Sequence, residues 1–183
     1  MRVGVLAIQG DFDAHARALA AAGVEAFAAR SGAELGRADA LVLPGGESTA
    51  ILRGISRDGL APALRAHVEG GGAVLGTCAG AILLALGALD ISVCRNAYGS
   101  QLDSFVCRAE VDDPASEFAG LECVLIRAPR ITRVGPRVRV LARVKGDPAL
   151  VAAGPLWAAT FHPELSGDPR VYRAWLRSAT ARA

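Results

Sequence analysis

A chain of 183 residues with 52% hydrophobic residues and a formal net charge of +2 holds enough apolar surface for a substantial core, which excludes disorder. It has no basic run or acidic tail, which argues against nucleic acid as a partner, and no apolar stretch of membrane-spanning length. The Val3–Ile8 run is too short and too early for a signal-peptide core, so a cytoplasmic protein is expected.

In chain order, Arg2–Ile8 is an apolar run without polar alternation, as a buried central strand requires. Phe12–Ala22 has helical spacing and stops at Gly23, a suitable C-terminal cap. Val24–Ala28 and Ala38–Leu43 read as strands, and Glu47–Ser56 and Pro62–Glu69 as helices parted by Asp58-Gly59. Ala73–Thr77 is another strand and Ala79–Leu86 its helix. Strands alternating with helices predict a parallel sheet covered on both faces. From Ile91 onward the pattern changes to short β runs between Pro and Gly turns: Ile91–Cys94, Ser104–Val111, Cys123–Ile126, Val138–Val144, Leu150–Ala153 and Leu156–Thr160. Asp168–Ser178 closes the chain as an amphipathic helix with Val171, Trp175 and Leu176 inward. With no repeat or low-complexity linker, the expectation for residues 1–183 is a single α/β domain. Its architecture is a three-layer open sheet, mostly parallel, with an antiparallel β annex.

Three stretches carry chemistry. In Gly76-Thr-Cys-Ala-Gly80, glycines flank a thiol where a strand gives way to a helix, which is the pattern of a nucleophile elbow with cysteine in place of serine. A helix N-terminus beside the thiol favours the thiolate that attacks carbonyl carbon; the alternative is a buried structural cysteine. The second stretch is Phe161-His-Pro-Glu164 at a strand end. A thiol nucleophile needs a base, and the base needs a group that fixes its tautomer. In an extended segment His162 and Glu164 share a side, and Pro163 stiffens their spacing. Of the three histidines, His67 lies on a polar helix face and is expected to be solvated, and His15 follows an acidic turn without catalytic context. The third stretch is Pro44-Gly-Gly-Glu-Ser-Thr49, between a strand and a helix. Its glycines leave backbone N–H groups free to serve an oxyanion hole, and Glu47 and Ser48 can meet the polar ends of a small substrate. The alternative is a plain helix cap at Ser48 or Thr49. Cys78, Cys94, Cys107 and Cys123 are too widely spaced for a zinc knuckle or a redox pair, so no metal is expected. The last three are read as reduced core residues, and a reducing cytosol suits a free Cys78.

Together these stretches resemble the class I, triad-type glutamine amidotransferases. Within that group the chain is similar to the glutaminase subunits of pyridoxal 5′-phosphate synthase, essentially end to end. The resemblance rests on Gly4–Gly10 with His15 after it, the 44–49 loop, the 76–80 elbow and Arg95-Asn96 with Tyr98-Gly99. It continues through Ser104-Phe105, Ile126-Arg-Ala-Pro129 and Phe161–Leu165. It implies that Cys78 attacks the side-chain amide of L-glutamine, that His162 moves the protons and that Glu164 orients His162. It further implies that Gly46, Glu47, Ser48, Arg95, Ile126 and Arg127 bind the substrate, with Gly45, Gly46 and Ala79 around the oxyanion. A planar arginine fork suits the substrate carboxylate. No cofactor is implied. The ammonia would pass to a (β/α)8 barrel synthase subunit, faced by Gln9, Gly10 and His15. The chain departs from the family pattern in a shortened segment, 86–91, next to Arg95. Two rival readings are the glutaminase of another amidotransferase, such as imidazole glycerol phosphate synthase, and a non-catalytic subunit with a redox-sensing thiol. The Cys-Ala-Gly-Ala-Ile wording opposes the first, and the intact His162-Pro-Glu164 opposes the second.

Overall fold

The computed structural model describes residues 1–95 and 104–180; Asn96, Tyr98 and Gly99 lie outside them. Seven strands form the central sheet: β1 (Arg2–Leu6), β2 (Glu25–Ala29), β3 (Ala40–Leu43), β4 (Ala73–Thr77), β9 (Arg139–Val144), β10 (Asp147–Ala153) and β11 (Leu156–Ala159). Their order is β2-β1-β3-β4-β11-β10-β9. The five strands from β2 to β11 run parallel, and β10 and β9 continue antiparallel. Alternate residues of each strand are buried on opposite faces, as the pleat dictates. Val3, Val5, Val42, Leu75 and Leu150 pack with Leu19 of α1 (Phe12–Ala21) and with Tyr172 and Trp175 of α6 (Arg170–Thr180). Leu6, Leu41, Val74 and Val151 pack instead with Ile51 of α3 (Ser48–Arg57) and Leu84 of α5 (Ala79–Ala85). A helix layer therefore covers each side of the sheet.

The helices end where their sequences say. Asp11 accepts from the Ala14 amide to cap α1, and Gly23, at φ 86°, follows its last turn. Pro62 sits in the first turn of α4 (Ala61–Glu69), where its missing N–H costs nothing.

Several expectations are corrected. Val138–Val144, Leu150–Ala153 and Leu156–Thr160 are not annex strands: they extend the main sheet as β9, β10 and β11. The peripheral pairs are β5 (Ile91–Cys94) with β8 (Arg130–Val134), and β6 (Phe105–Arg108) with β7 (Glu122–Leu125). Strand β8 has no clear sequence signal, because Arg130, Thr132 and Arg133 hide its single fully buried apolar residue, Ile131. Nor has α2 (Gly32–Leu35), a four-residue helix held by the Ser31 cap. Among the cysteines only Cys78 and Cys123 are buried; Cys94 is exposed and Cys107 half-buried, and all four are free thiols. His67 is not simply solvated, since its Nε2 lies 3.2 Å from the Ala73 carbonyl oxygen. No helix among the described residues is long and apolar enough to cross a membrane.

Candidate active site

Parallel strands end on one edge of the sheet, where open α/β folds place their ligands. Strand β4 is buried throughout and stops at Cys78, whose backbone takes φ 47° and ψ −103°, outside the regions that L-residues favour. Such strain, of order 1–3 kcal/mol, persists only where the surroundings enforce it. Here they do: a Cβ on Gly76 would stand 2.5 Å from the Gly80 carbonyl oxygen, and one on Gly80 would overlap the Leu43 carbonyl of β3. Helix α5 thus starts hard against two strands and leaves the Cys78 side chain no place except the sheet edge.

Strand β11 supplies the second group. It pairs in parallel with β4, Ala159 opposite Thr77, and the Cys78 amide donates to the Ala159 carbonyl at 2.8 Å. Three residues on, the His162 amide donates to the Val124 carbonyl of β7 at 2.8 Å. His162 is therefore fixed from two sides. Pro163–Leu165 forms a single 3-10 turn that brings Glu164 back under the imidazole, with Nδ1 2.7 Å from Oε1. This replaces the expected extended geometry: a turn, not strand alternation, joins the two side chains. Nδ1 donates to the carboxylate, which leaves Nε2 for the thiol. A Cβ on Gly45 would lie 2.5 Å from His162 Cε1 and 3.4 Å from Cys78 Cβ, so this glycine marks where the loop after β3 closes over the imidazole.

The charges of the site follow from burial and hydrogen bonding. Burial alone would lower the pKa of His162. Hydrogen bonds to Cys78 and Glu164 and the charge of both groups win, and raise it to about 10. Burial works to raise Glu164 as well, but its bond from His162 and the neighbouring histidines hold it below the usual 4.5. At neutral pH the pair is imidazolium and carboxylate.

Cys78, Ala79 and His162 open into a cavity of about 220 Å³. Gly46, Glu47, Ser48, Arg95, Ile126 and Arg127 line it. Glu47, not Ser48 or Thr49, caps α3, accepting from the Thr49 and Ala50 amides at 2.9 and 2.7 Å. The Arg95 guanidinium reaches Glu47 Oε1 at 3.3 Å and Thr49 Oγ1 at 3.2 Å. Arg127 holds φ 46°, so among the described residues two of the three non-glycine positive-φ positions line this cavity. Ile82 and Pro129 complete it, and sequence reasoning missed both; Ile82 stands four residues beyond Cys78, on the same helix face, which is the signal that could have found it.

The residues expected toward a partner divide. Gln9 and Gly10 are at the rim, where the Gln9 carboxamide oxygen accepts from the Glu47 amide at 3.2 Å. His15 is corrected: it is fully buried and presents no surface. Among the described residues no three His, Cys, Asp or Glu side chains are placed to hold a metal ion.

Residues 5–181 match the SNO glutamine amidotransferase family. The chain belongs to that family. Within it, the chain is 48% identical to pyridoxal 5'-phosphate synthase subunit PdxT of Frankia casuarinae, over 97% of this chain and 94% of that protein. It is 42% identical to the subunit of the same name from Thermotoga neapolitana, with 96% and 98% covered. A solved glutamine amidotransferase structure superposes with a TM-score of 0.89 at 43% identity, covering 97% of this chain and 98% of that one. The α/β sheet with its small antiparallel pairs is thus the architecture of this family.

Proposed function

We propose that the chain hydrolyses L-glutamine to L-glutamate and ammonia, and that the ammonia serves pyridoxal 5′-phosphate synthesis on a partner subunit. The observation that carries this reading is the convergence of Cys78 and His162, from two strand ends, on one small cavity, with Glu164 of the 3-10 turn buried behind the imidazole. The cavity lies below the roughly 300–1,000 Å³ of pockets for drug-sized ligands, which fits a ligand of amino-acid size.

Glu47 and Arg95 offer opposite charges to the ammonium and carboxylate of the substrate, with Ser48, Ile126 and Arg127 beside them. The Cys78 sulfur attacks the amide carbon, and the backbone N–H groups of Gly46 and Ala79, next to Gly45, stabilise the oxyanion. His162, protonated through the neutral range, gives its proton to the departing nitrogen. The C–N bond breaks, ammonia leaves and a γ-glutamyl thioester remains on Cys78. Water then attacks the thioester carbon while His162 takes its proton, the C–S bond breaks, glutamate is released, and the Cys78 sulfur is left as thiolate beside the imidazolium it started with. Glu164 holds His162 in the required tautomer throughout.

The partner is a synthase subunit of (β/α)8 barrel fold, docked at the rim that holds Gln9 and Gly10. A free thiol at the centre of the reaction suits a reducing compartment such as the cytoplasm. The test is glutamate release by wild type and Cys78→Ala, each with and without the synthase subunit. Wild type with its partner turns over, and Cys78→Ala does not, though it still co-purifies with the partner. Ammonium salts restore synthesis by the variant complex. Turnover by Cys78→Ala near the wild-type rate overturns the assignment.

A further inference from the structure

Beneath His162 and Glu164 lies a fully buried histidine, for which the hydrolysis described above has no use. His15, on α1, is fully buried. Its Nδ1 is 2.8 Å from the Tyr172 hydroxyl of α6, and its Nε2 is 3.4 Å from Thr77 Oγ1 at the end of β4. The same Nε2 is 3.6 Å from Glu164 Oε1. Glu164 needs such a neighbour. Its side chain is 3% exposed, Oε1 accepts from His162, and Oε2 accepts from no other residue among the described residues. A buried carboxylate is costly unless dipoles or charges surround it.

The position of the His15 proton follows from Tyr172. Burial, with the charge of Glu164 adding to it, keeps the phenol protonated, and among the described residues its only hydrogen-bond partner is His15. An O–H requires an acceptor, so Nδ1 is the unprotonated nitrogen and the proton sits on Nε2. Nε2–H then faces Thr77 and Glu164. Burial also keeps His15 neutral at ordinary pH, against the pull of Glu164. The charged and titratable groups facing it are Glu164 and His162 from the 3-10 segment, Tyr172 from α6, and Asp11 from the start of its own helix.

We propose that His15 is a positioning residue for glutamine hydrolysis: its Nε2–H, locked by the Tyr172 hydroxyl, faces Glu164 and keeps that carboxylate ionised and aimed at His162. At 3.6 Å the contact exceeds a hydrogen bond, so it acts as a dipole on a charge, and no proton passes. The site is then four groups deep, and its deepest member is anchored on α6, away from the substrate. This inference rests on the hydrolase reading above, but its test does not depend on it alone.

Nitrogen-15 NMR of the imidazoles in the free chain reads both histidines directly. In wild type, His15 holds the Nε2–H tautomer through neutral pH, and His162 titrates near 10. In His15→Leu the His162 midpoint falls by about one unit or more, a tenfold loss of proton affinity. In complex with the synthase subunit, kcat of that variant falls by about 10–100-fold, the range seen when a partner behind a histidine is removed from a metal site. KM stays within about twofold, because no substrate contact is lost. His15→Gln, whose carboxamide N–H reaches the Nε2 position, restores most of both readouts. Tyr172→Phe keeps the ring and removes only the O–H; it releases His15 from the Nε2–H tautomer and lowers the His162 midpoint, and it decides the matter if His15→Leu does not fold. Protonation of wild-type His15 at Nδ1, or a His162 midpoint unmoved in these variants, overturns the proposal. If the wild-type complex releases no glutamate, the hydrolase reading fails, while the titrations of the free chain still decide the role of His15.

Discussion

An unperturbed imidazole, with a pKa near 6.5, is mostly neutral at pH 7; His162, raised to about 10, carries its proton through the working range. Against burial, the hydrogen bond to Cys78 raises it most, and the hydrogen bond and charge of Glu164, 2.7 Å away, add to that. Glu164→Gln keeps a hydrogen-bonding side chain of the same size and removes the charge. The alkaline limb of kcat/KM then moves down from about 10, part of the way only because the Cys78 bond remains, and kcat drops by about 10²–10⁴-fold, as when the carboxylate of a serine-protease triad is neutralised. A pH profile of glutamate release by the complex checks this, and an unmoved limb refutes it. Cys78, His162, Glu164 and the 44–49 loop are legible from the sequence because each has a local signature: a thiol between glycines, a histidine two residues from a carboxylate, a double glycine after an apolar run. His15 has none. Its environment is made by Thr77 and Tyr172, which are 62 and 157 positions away, so only the fold reveals what it touches.

Elements meet in this molecule with little room to spare. A Cβ at Gly80 would overlap a backbone carbonyl of β3, which has no flexible end to yield. Gly80→Ala therefore destabilises the fold by about 1–3 kcal/mol, read as a lower urea midpoint, and lowers kcat as well because the elbow is pushed off β3. Gly59, at φ 64° between α3 and α4, faces open space: a Cβ there would meet nothing within 4 Å. Gly59→Ala costs only the left-handed backbone penalty of about 1–2 kcal/mol and leaves kcat unchanged. A Gly80→Ala protein with normal turnover contradicts this account of the elbow. At this scale the parallel half of the fold is legible, since a buried apolar run followed by helical spacing is a local pattern. The antiparallel half is not. Strands β9, β10 and β11 look like the other short β runs, and what separates them is that β11 pairs with β4, a partner some 80 positions earlier in the chain.

For the whole molecule, two histidines oppose each other in pH dependence. The His15 pKa is lowered from 6.5, so below that pH the unfolded chain binds a proton that the fold refuses, and stability falls as the pH falls. Glu164, lowered from 4.5, adds a further loss as the pH drops through its folded value. The His162 pKa is raised to about 10, so its contribution is complete below 6.5 and is lost as the pH rises toward 10. The urea midpoint is therefore highest near pH 6.5 and declines on both sides. His162→Gln flattens the alkaline decline and spares the acid one; a midpoint still rising at pH 9 in wild type contradicts the assignment. The sheet order also bears on how the protein is made. Strand β11, which carries the chain to His162, lies between β4 and β10, so the sheet is incomplete until a strand some 80 residues beyond β4 has been synthesised. Cys78 and His162 are 84 positions apart. At about 5–20 residues per second the Cys78 thiol leaves the ribosome roughly 4–17 s ahead of His162. A nascent chain that stops short of β11 thus carries Cys78 without His162, and the two side chains meet only once β11 has joined β4.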